Sequence, residues 1–588
     1  MKYNSLKQLI YRNFNIYKNN DAIRYENKKI TYTELLQNVE KIAAYLNKMQ
    51  YTKIGIALEN KLETVILILS CILADIPFII LDLNYPKNFL DNILDEANIN
   101  IVVVDIDIDI DIDGIKTVNI DRTLIRSNFC NKNPRNLINK TKDSVVFLIA
   151  TSGSTGRPKI AERYMSAFLK DYQELETKFP FLFKQVAQQY AKLNFSYGLE
   201  NSLLLLIGGT TICFGRKNIS IQNIDEMYSE IKCNCATVVF WASPIIKLLS
   251  KHFRLCENIP DSIEYIYTGG EPLVISADFV VQLHNKNITL INDYGCSELG
   301  KIFTYLYTIR LRDIEAYNAI GVGTPLKGYE AVLLDDKNVA CNEGFLYLKS
   351  VKKFSCGYVN KNIEIPELNR DDYWLFNTHD IAKRENGQIF ILGREINSVN
   401  VAGYRVELEQ VEYAVNKNSR IDICVVVPFY NHYQEVSLYC FHKGLLSNPQ
   451  LRVFLQEMLP SYMIPTALVS VESVYLLPNG KVDRKKNARV FSSLIQKQDI
   501  SAKNVKEQIY NYLIGIVGRE IGSLKDIYYQ PFFSYGVDSL SVVDFISTVE
   551  SKVHVKILGD NVGKKIKCLK DVVDLVIDCN GESNSENR

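Results

Sequence analysis

An apolar run, Val145-Val146-Phe147-Leu148-Ile149-Ala150, passes directly into Thr151-Ser152-Gly153-Ser154-Thr155-Gly156-Arg157-Pro158-Lys159. A short apolar run bounded by glycine and proline has the length of a buried strand. The glycines and small hydroxyl residues after it leave backbone N–H groups free to surround phosphate oxygens, and Lys159 adds a point charge. Arg157 and Pro158 separate Lys159 from Gly156, whereas the Gly-x-x-x-x-Gly-Lys-Ser/Thr loop has its lysine directly after the glycine. The segment therefore reads as a phosphate loop of another kind, with an ordinary Ser/Gly surface loop as the alternative on these residues alone.

Upstream, Ile54-Gly55-Ile56-Ala57-Leu58, a helix-like run Leu62 to Ala74, Phe78-Ile79-Ile80-Leu81 and Ile101-Val102-Val103-Val104 follow one another. Strands alternating with a helix predict an α/β sheet. The apolar run Val65 to Ala74 is shorter than the roughly 20 residues that cross a bilayer, so it reads as a buried helix. Asp105 to Asp113 alternates Asp with Ile; like charges on one strand face repel, which favours a solvated surface strand or a tolerated insertion over a cation site.

The chain has 588 residues, 47% hydrophobic and 23% charged, enough for several hydrophobic cores and too apolar for disorder. Its 68 Lys and Arg balance 67 Asp and Glu, so no strong field selects nucleic acid or an anionic membrane. Met1 to Lys7 lacks a secretory signal, and a cytoplasmic location is expected. The 13 cysteines have no zinc-ligand spacing and are expected as buried free thiols, Cys233 and Cys235 being the closest pair.

Two boundaries are expected. Gly393-Arg394 opens a smaller subdomain on a hinge, and a linker at 491–504 follows the basic cluster Arg484-Lys485-Lys486. The resulting division is 1–393, 394–490, a helical domain at 505–580 and a polar tail at 581–588. In the helical domain, Phe532-Phe533-Ser534-Tyr535-Gly536-Val537-Asp538-Ser539-Leu540 precedes apolar positions Val542, Phe545, Ile546 and Val549 at helical spacing. Ser539 thus stands at a helix start, as an N-cap or as something more.

The Thr151 to Lys159 loop resembles the signature of adenylate-forming enzymes, and other segments repeat that family's order. Lys29-Ile30-Thr31-Tyr32 with Leu35, Leu81-Asp82-Leu83-Asn84-Tyr85-Pro86, Asn292-Asp293-Tyr294-Gly295-Cys296-Ser297-Glu298, Asn377-Thr378-His379-Asp380, Gly393-Arg394 and Pro478-Asn479-Gly480-Lys481-Val482-Asp483-Arg484 resemble motifs of nonribosomal peptide synthetase adenylation domains. Gly536-Val537-Asp538-Ser539-Leu540 resembles the attachment site of peptidyl and aryl carrier proteins. The resemblance implies a multidomain α/β fold: a large α/β N-terminal portion, a small α+β mobile subdomain, and an all-α carrier bundle.

Residue by residue, the resemblance implies ATP phosphates in the loop of Thr151, Ser152, Gly153, Ser154, Thr155, Gly156 and Lys159. It implies adenine against Tyr294 with Asp293 and Ser297 nearby, ribose at Asp380 and Arg394, Mg²⁺ at Glu298, and Lys481 bridging the acid and the α-phosphate. Two anions meet in that step, so cations are needed where charge accumulates. Ser539 would carry covalent 4′-phosphopantetheine, whose thiol receives the acyl group. The implied partners are a carboxylic acid, a phosphopantetheinyl transferase, and a downstream condensation, ketosynthase-type or tailoring enzyme, with no nucleic acid and no membrane.

The sequence departs from the family at the hinge, where Ile396 and Asn400 replace an aspartate and a lysine, and at His379, where a glycine is usual. The expected acid pocket comprises Phe195, Ser196, Tyr197, Glu200, Pro244, Tyr267, Gly269, Lys301 and Ile302, with Asp293 beside them. Amino-acid-activating relatives place an aspartate where Ser196 stands, and a buried ammonium without a carboxylate is costly. Phe195-Ser196-Tyr197-Gly198-Leu199-Glu200-Asn201-Ser202 resembles instead the segment of benzoate and other acyl-CoA ligases, so the expected substrate is an aryl or other acid lacking an α-amino group, used as a starter unit. The alternatives are an amino-acid loading module, with Glu200 or Asp293 as replacement carboxylate, and a non-catalytic carrier scaffold. Glu200 and Lys301 are expected to recognise a hydroxyl, amino or second carboxyl substituent, or to pair with each other.

Overall fold

In the computed structural model the described residues are 3, 5–26, 28–104, 116–119, 144–151, 157–216, 223–251, 258–270, 273–307, 318–335, 337–363, 365, 367–370, 372–394, 398–418, 420–430, 436–475, 483–484, 486–491, 509–514, 545–546, 548–549, 569 and 571–572. They divide into two compact units, the first made of Met1–Ile219 and Ile224–Glu407, the second of Leu408–Asn431 and the described residues after Glu435. The second unit thus starts beyond the Gly393-Arg394 pair, at Leu408.

In the first unit, Val145–Thr151 forms a strand in a seven-stranded sheet. The order across it is Cys356–Tyr358, Lys159–Tyr164, Val145–Thr151, Phe78–Ile80, Ile54–Ala57, Ile101–Val104, Lys116–Asn119. The expected strands near Ile54, Phe78 and Ile101 are all present and parallel to their neighbours. The helix Lys61–Ala74 lies between two of them; the Asn60 side chain accepts from the N–H groups of Leu62 and Glu63 at 3.0 and 3.1 Å, and Asp75 ends it in the left-handed region. It is buried on nearly every side, and among the described residues no helix is long and apolar enough to cross a membrane. The Asp105 to Asp113 repeat lies outside the described residues.

An eight-stranded sheet forms the second layer, in the order Gly300–Tyr307, Thr289–Cys296, Tyr265–Gly269, Val238–Phe240, Val186–Gln189, Thr211–Phe214, Asp21–Tyr25, Lys28–Thr31. Its central strands are parallel, and the helix Ser196–Ile207 connects Val186–Gln189 to Thr211–Phe214. Such a crossover helix runs antiparallel to its strands, so its N-terminus stands at their carboxyl ends, where open α/β sheets bind ligands. A five-stranded antiparallel sheet over residues 330–394 follows, then a hairpin of Ser398–Val401 and Tyr404–Glu407. Its two-residue turn, Ala402-Gly403, has φ of 49° and 86°, the paired positive torsions that suit the right-handed twist of a hairpin.

In the second unit, Ile421–Tyr430, Val436–Gly444 and Ala467–Ser470 form a three-stranded sheet accompanied by the helices Leu408–Asn416 and Asn448–Gln456. The Arg484 guanidinium donates to both oxygens of Glu412 at 2.7 and 2.6 Å, and Phe491 stacks on Phe441 at 4.2 Å. The expected all-α carrier lies outside the described residues apart from helical pieces such as 509–514. Nine described cysteines are free thiols; Cys233 and Cys235 are exposed, against the expectation of burial, Cys233 in the last turn of the helix Ile224–Asn234 and Cys235 just past its end.

Candidate active site

At the carboxyl ends of the central strands, Lys301 reaches inward from the strand Gly300–Tyr307 with only 4% of its side chain exposed. Its ammonium donates to Asp293 Oδ2 at 2.5 Å, Asn201 Oδ1 at 2.5 Å and the Tyr267 hydroxyl at 2.8 Å. An ammonium has three N–H donors, so these bonds use them all. The Tyr197 hydroxyl donates to the Tyr267 carbonyl at 2.8 Å, and burial raises its pKa. Gly269 lets two strands close up here, since a Cβ on it would stand 2.4 Å from the Asp293 carbonyl oxygen. Ile302 is fully buried behind Lys301, and Pro244 lies in the first turn of the helix Ser243–Lys251.

Glu200 and Lys301 do not pair. The Glu200 carboxylate accepts from Arg163 Nη2 at 3.1 Å and from the Ser196 hydroxyl at 2.5 Å, one helical turn away. Arg163, fully buried, also donates to Asp171 and to the Leu299 carbonyl at 2.8 Å. Glu200 pairs with Arg163, a residue outside every motif. Burial raises the Asp171 pKa, Arg163 opposes the rise and Glu200 adds to it. Gly300 makes this possible: its φ is 77°, and a Cβ on it would meet Arg163 Nη2 at 2.0 Å. Sequence reasoning gave no role to Arg163, Asp171 or Asn201, although Asn201 stands in the segment compared with acyl-CoA ligases; Arg163 lies in the strand Lys159–Tyr164 among other charged residues, so nothing local singled it out.

On the side expected for the nucleotide, Thr151 and Lys159 are register partners at the base of the loop, where the Thr151 hydroxyl donates to the Lys159 carbonyl at 3.2 Å. Arg157 ties the loop to Asp95 and Glu96 at 3.0 and 3.3 Å. Ser152, Gly153, Ser154, Thr155 and Gly156 lie outside the described residues, as do Lys481, Ser539 and Ile396. The Tyr294 hydroxyl donates to the Asp380 carboxylate, and Asp380 is the register partner of Arg394 on the adjacent strand. Three residues expected around the nucleoside are thus brought together. Ser297 is half-buried in the turn between Thr289–Cys296 and Gly300–Tyr307. His379 occupies the left-handed region with φ of 60°, the reason a glycine suits its place.

Glu298 is buried in that same turn, and its Oε1 accepts from the Tyr358 hydroxyl at 2.8 Å and from Arg405 Nη1 at 3.2 Å. Among the described residues no group of three His, Cys, Asp or Glu could hold a metal ion. A single carboxylate still suits Mg²⁺, which takes its other ligands from phosphates and water. Arg405 comes from the hairpin Ser398–Glu407, whose Tyr404 ring meets Phe195 edge-on at 4.4 Å and whose Asn400 amide donates to the Gly270 carbonyl at 3.0 Å. Three contacts therefore seat the hairpin on the rim of the site. The sequence signalled Asn400 only as a departure, and Arg405 not at all.

The two α/β layers, the antiparallel sheet and the crevice at the strand ends define an adenylate-forming enzyme fold. Residues 10–356 match the family of AMP-binding enzymes, and 511–576 match the phosphopantetheine attachment site. The chain belongs to the AMP-binding enzyme family. It is 25% identical over 558 residues to gramicidin S synthase 2 of Brevibacillus brevis, covering 91% of this chain and 12% of that protein. This chain thus spans about an eighth of that relative. Among solved structures, holo-PA1221, described as a nonribosomal peptide synthetase protein containing adenylation and peptidyl carrier domains bound to a vinylsulfonamide inhibitor, superposes with a TM-score of 0.73 at 19% identity, over 98% of this chain and 97% of that one. The o-succinylbenzoate CoA synthetase MenE of Bacillus subtilis superposes at 0.68 with 17% identity, over 82% and 98%.

Proposed function

We propose that this enzyme activates a carboxylic acid lacking an α-ammonium as its acyl-adenylate, then loads it on a phosphopantetheine arm at Ser539, as a starter module. The observation that carries the substrate side of this reading is that both candidate carboxylates already have a buried cation: Glu200 has Arg163 and Asp293 has Lys301. A substrate ammonium placed near Ser196 would meet a hydroxyl already donated to Glu200 and a Glu200 carboxylate already bonded to Arg163, at the cost of its lost hydration. An aryl or other acid without that group pays no such penalty.

In this reading Tyr294 and Asp380, with Arg394 beside them, hold the nucleoside, and the Thr151 to Lys159 loop holds the phosphates. Lys481 offsets the charge that grows as the acid attacks the α-phosphorus, worth on the order of 10²-fold or more in rate. Glu298 would hold Mg²⁺, with Arg405 on the same carboxylate; the ion, when bound, offsets phosphate charge. The arm supplies a soft, flexible nucleophile that no side chain could match in reach. A phosphopantetheinyl transferase attaches it, and a condensation, ketosynthase-type or tailoring enzyme takes the acyl group onward.

The test uses the phosphopantetheinylated protein with ATP, Mg²⁺ and a mixed panel of aryl, alkyl and amino acids, weighed intact. The expected result is a gain of one non-amino acid minus water, lost in Lys481→Ala. Loading of an α-amino acid alone would overturn the substrate class; no loading across a broad panel would favour a carrier scaffold.

A further inference from the structure

The acid pocket has a floor that its sequence positions do not disclose. Ser196 and Tyr197 begin the helix Ser196–Ile207 at the mouth of the crevice, and Asn201 lies four residues beyond Tyr197, about 6 Å further along the helix. Lys301 bonds to Asn201, Tyr267 and Asp293 at that depth. The Asn201 amide is engaged on both sides, accepting from Lys301 and donating to the Tyr197 carbonyl at 2.8 Å. These residues come from a helix and three strands, so the floor is tied together across the site.

Two properties of this layer select a ligand. It is polar, so a wholly apolar end would lie against oxygen and nitrogen atoms it cannot bond. It is also balanced, one buried ammonium against one buried carboxylate. A charged end of either sign would give up its water and find its counter-charge already taken. A neutral hydrogen-bonding group brings no charge to that balance, and the Asn201 amide, which has a second N–H and a second lone pair beyond its bonds to Tyr197 and Lys301, can meet it.

We propose that the Lys301–Asp293 pair is the specificity element of the acid pocket, and that the substrate is a short carboxylic acid ending in a neutral hydrogen-bonding group: a hydroxyl, a carbonyl or an uncharged arylamine. This rests on the reading of the site as an acid-activating pocket. It narrows that reading, because the pairing of Lys301 with Asp293 excludes the ammonium and the second carboxylate that the sequence left open. The pair acts by exclusion as much as by attraction, rejecting either charge at the far end.

The experiment is ATP–pyrophosphate exchange on the full phosphopantetheinylated chain with acids that share one skeleton and differ only at the far end. The probes are benzoate, 4-hydroxybenzoate, 4-aminobenzoate, 4-(aminomethyl)benzoate and terephthalate, with the same kinds of end group on a four-carbon chain. The wild-type protein is expected to favour the neutral polar ends over the unsubstituted acid by about tenfold in kcat/KM, and over both charged ends by more. Lys301→Met leaves the carboxylate unbalanced and raises the ammonium-ended acid relative to the neutral ones. Asp293→Asn leaves the ammonium unbalanced and raises the dicarboxylic acid. The charge-balanced double variant Lys301→Met/Asp293→Asn loses discrimination against both charges equally. A merely structural pair would instead scale every acid by one factor, which would overturn the proposal, as would a wild-type preference for a charged end. If no acid of any class supports exchange with the wild-type protein, the acid-activating reading itself fails and takes this inference with it; the wild-type ranking decides the matter even if a variant does not fold.

Discussion

His379 shows how a single side chain can sit against the preference of its own backbone. Its φ of 60° places Cβ near the following carbonyl, a strain of roughly 1–2 kcal/mol for a residue other than glycine. Its amide N–H donates to Asn377 Oδ1 at 2.8 Å, and the Thr378 hydroxyl accepts from the Asp380 amide at 3.2 Å, so the surrounding bonds fix the bend. His379→Gly removes the strain while adding freedom to the unfolded chain, and a net gain of about 0.5–1 kcal/mol is expected, read as a higher urea midpoint. A lower midpoint would mean that the imidazole contributes more than its backbone costs. Nearby Asp380 keeps its partner Tyr294 in either variant.

At the scale of an element, the hairpin Ser398–Glu407 shares one carboxylate, that of Glu298, with the metal proposed for the site. Arg405 Nη1 and a Mg²⁺ ion both call on the Glu298 carboxylate, whose Oε1 also takes the Tyr358 hydroxyl. A divalent ion on that carboxylate draws off the charge that strengthens its bond to the guanidinium. Adding Mg²⁺ and ATP is therefore expected to loosen the hairpin, seen as faster amide hydrogen exchange over residues 398–407. Glu298→Gln weakens the same anchor by removing its charge, and is expected to give the faster exchange without nucleotide. Equal exchange in all three samples would show that the Asn400 and Tyr404 contacts hold the hairpin by themselves.

At the scale of the whole molecule, activation and loading belong to different parts of the chain and are expected to separate. Ser539→Ala is expected to keep pyrophosphate exchange and lose covalent acylation, checked by running both assays on one sample. Loss of both would tie the carrier serine to the first step. The sequence made the layered sheet legible, because buried parallel strands and the helix Lys61–Ala74 carry their burial in unbroken apolar runs. It also ordered the nucleotide residues, since Tyr294, Asp380 and Arg394 lie in motifs that can be read locally. It did not disclose who pairs with whom in the acid pocket. Lys301 finds Asn201 across a hundred residues of chain, and Arg163 finds Glu200 through a fold that brings separate elements together. Such partnerships depend on strand order and on the room a missing Cβ leaves, neither of which is a periodic signal.

That missing Cβ has an evolutionary consequence. With Gly300 pressed against Arg163, and Arg163 answering Asp171 and Glu200, no member of the quartet can drift alone. Any larger residue at Gly300 displaces the guanidinium, and any neutral residue at 163 strands two buried acids. A descendant that acquires a new acid must therefore leave this group untouched or replace it as a block, and natural variation at these positions should be inherited in sets, with the intermediate combinations rare.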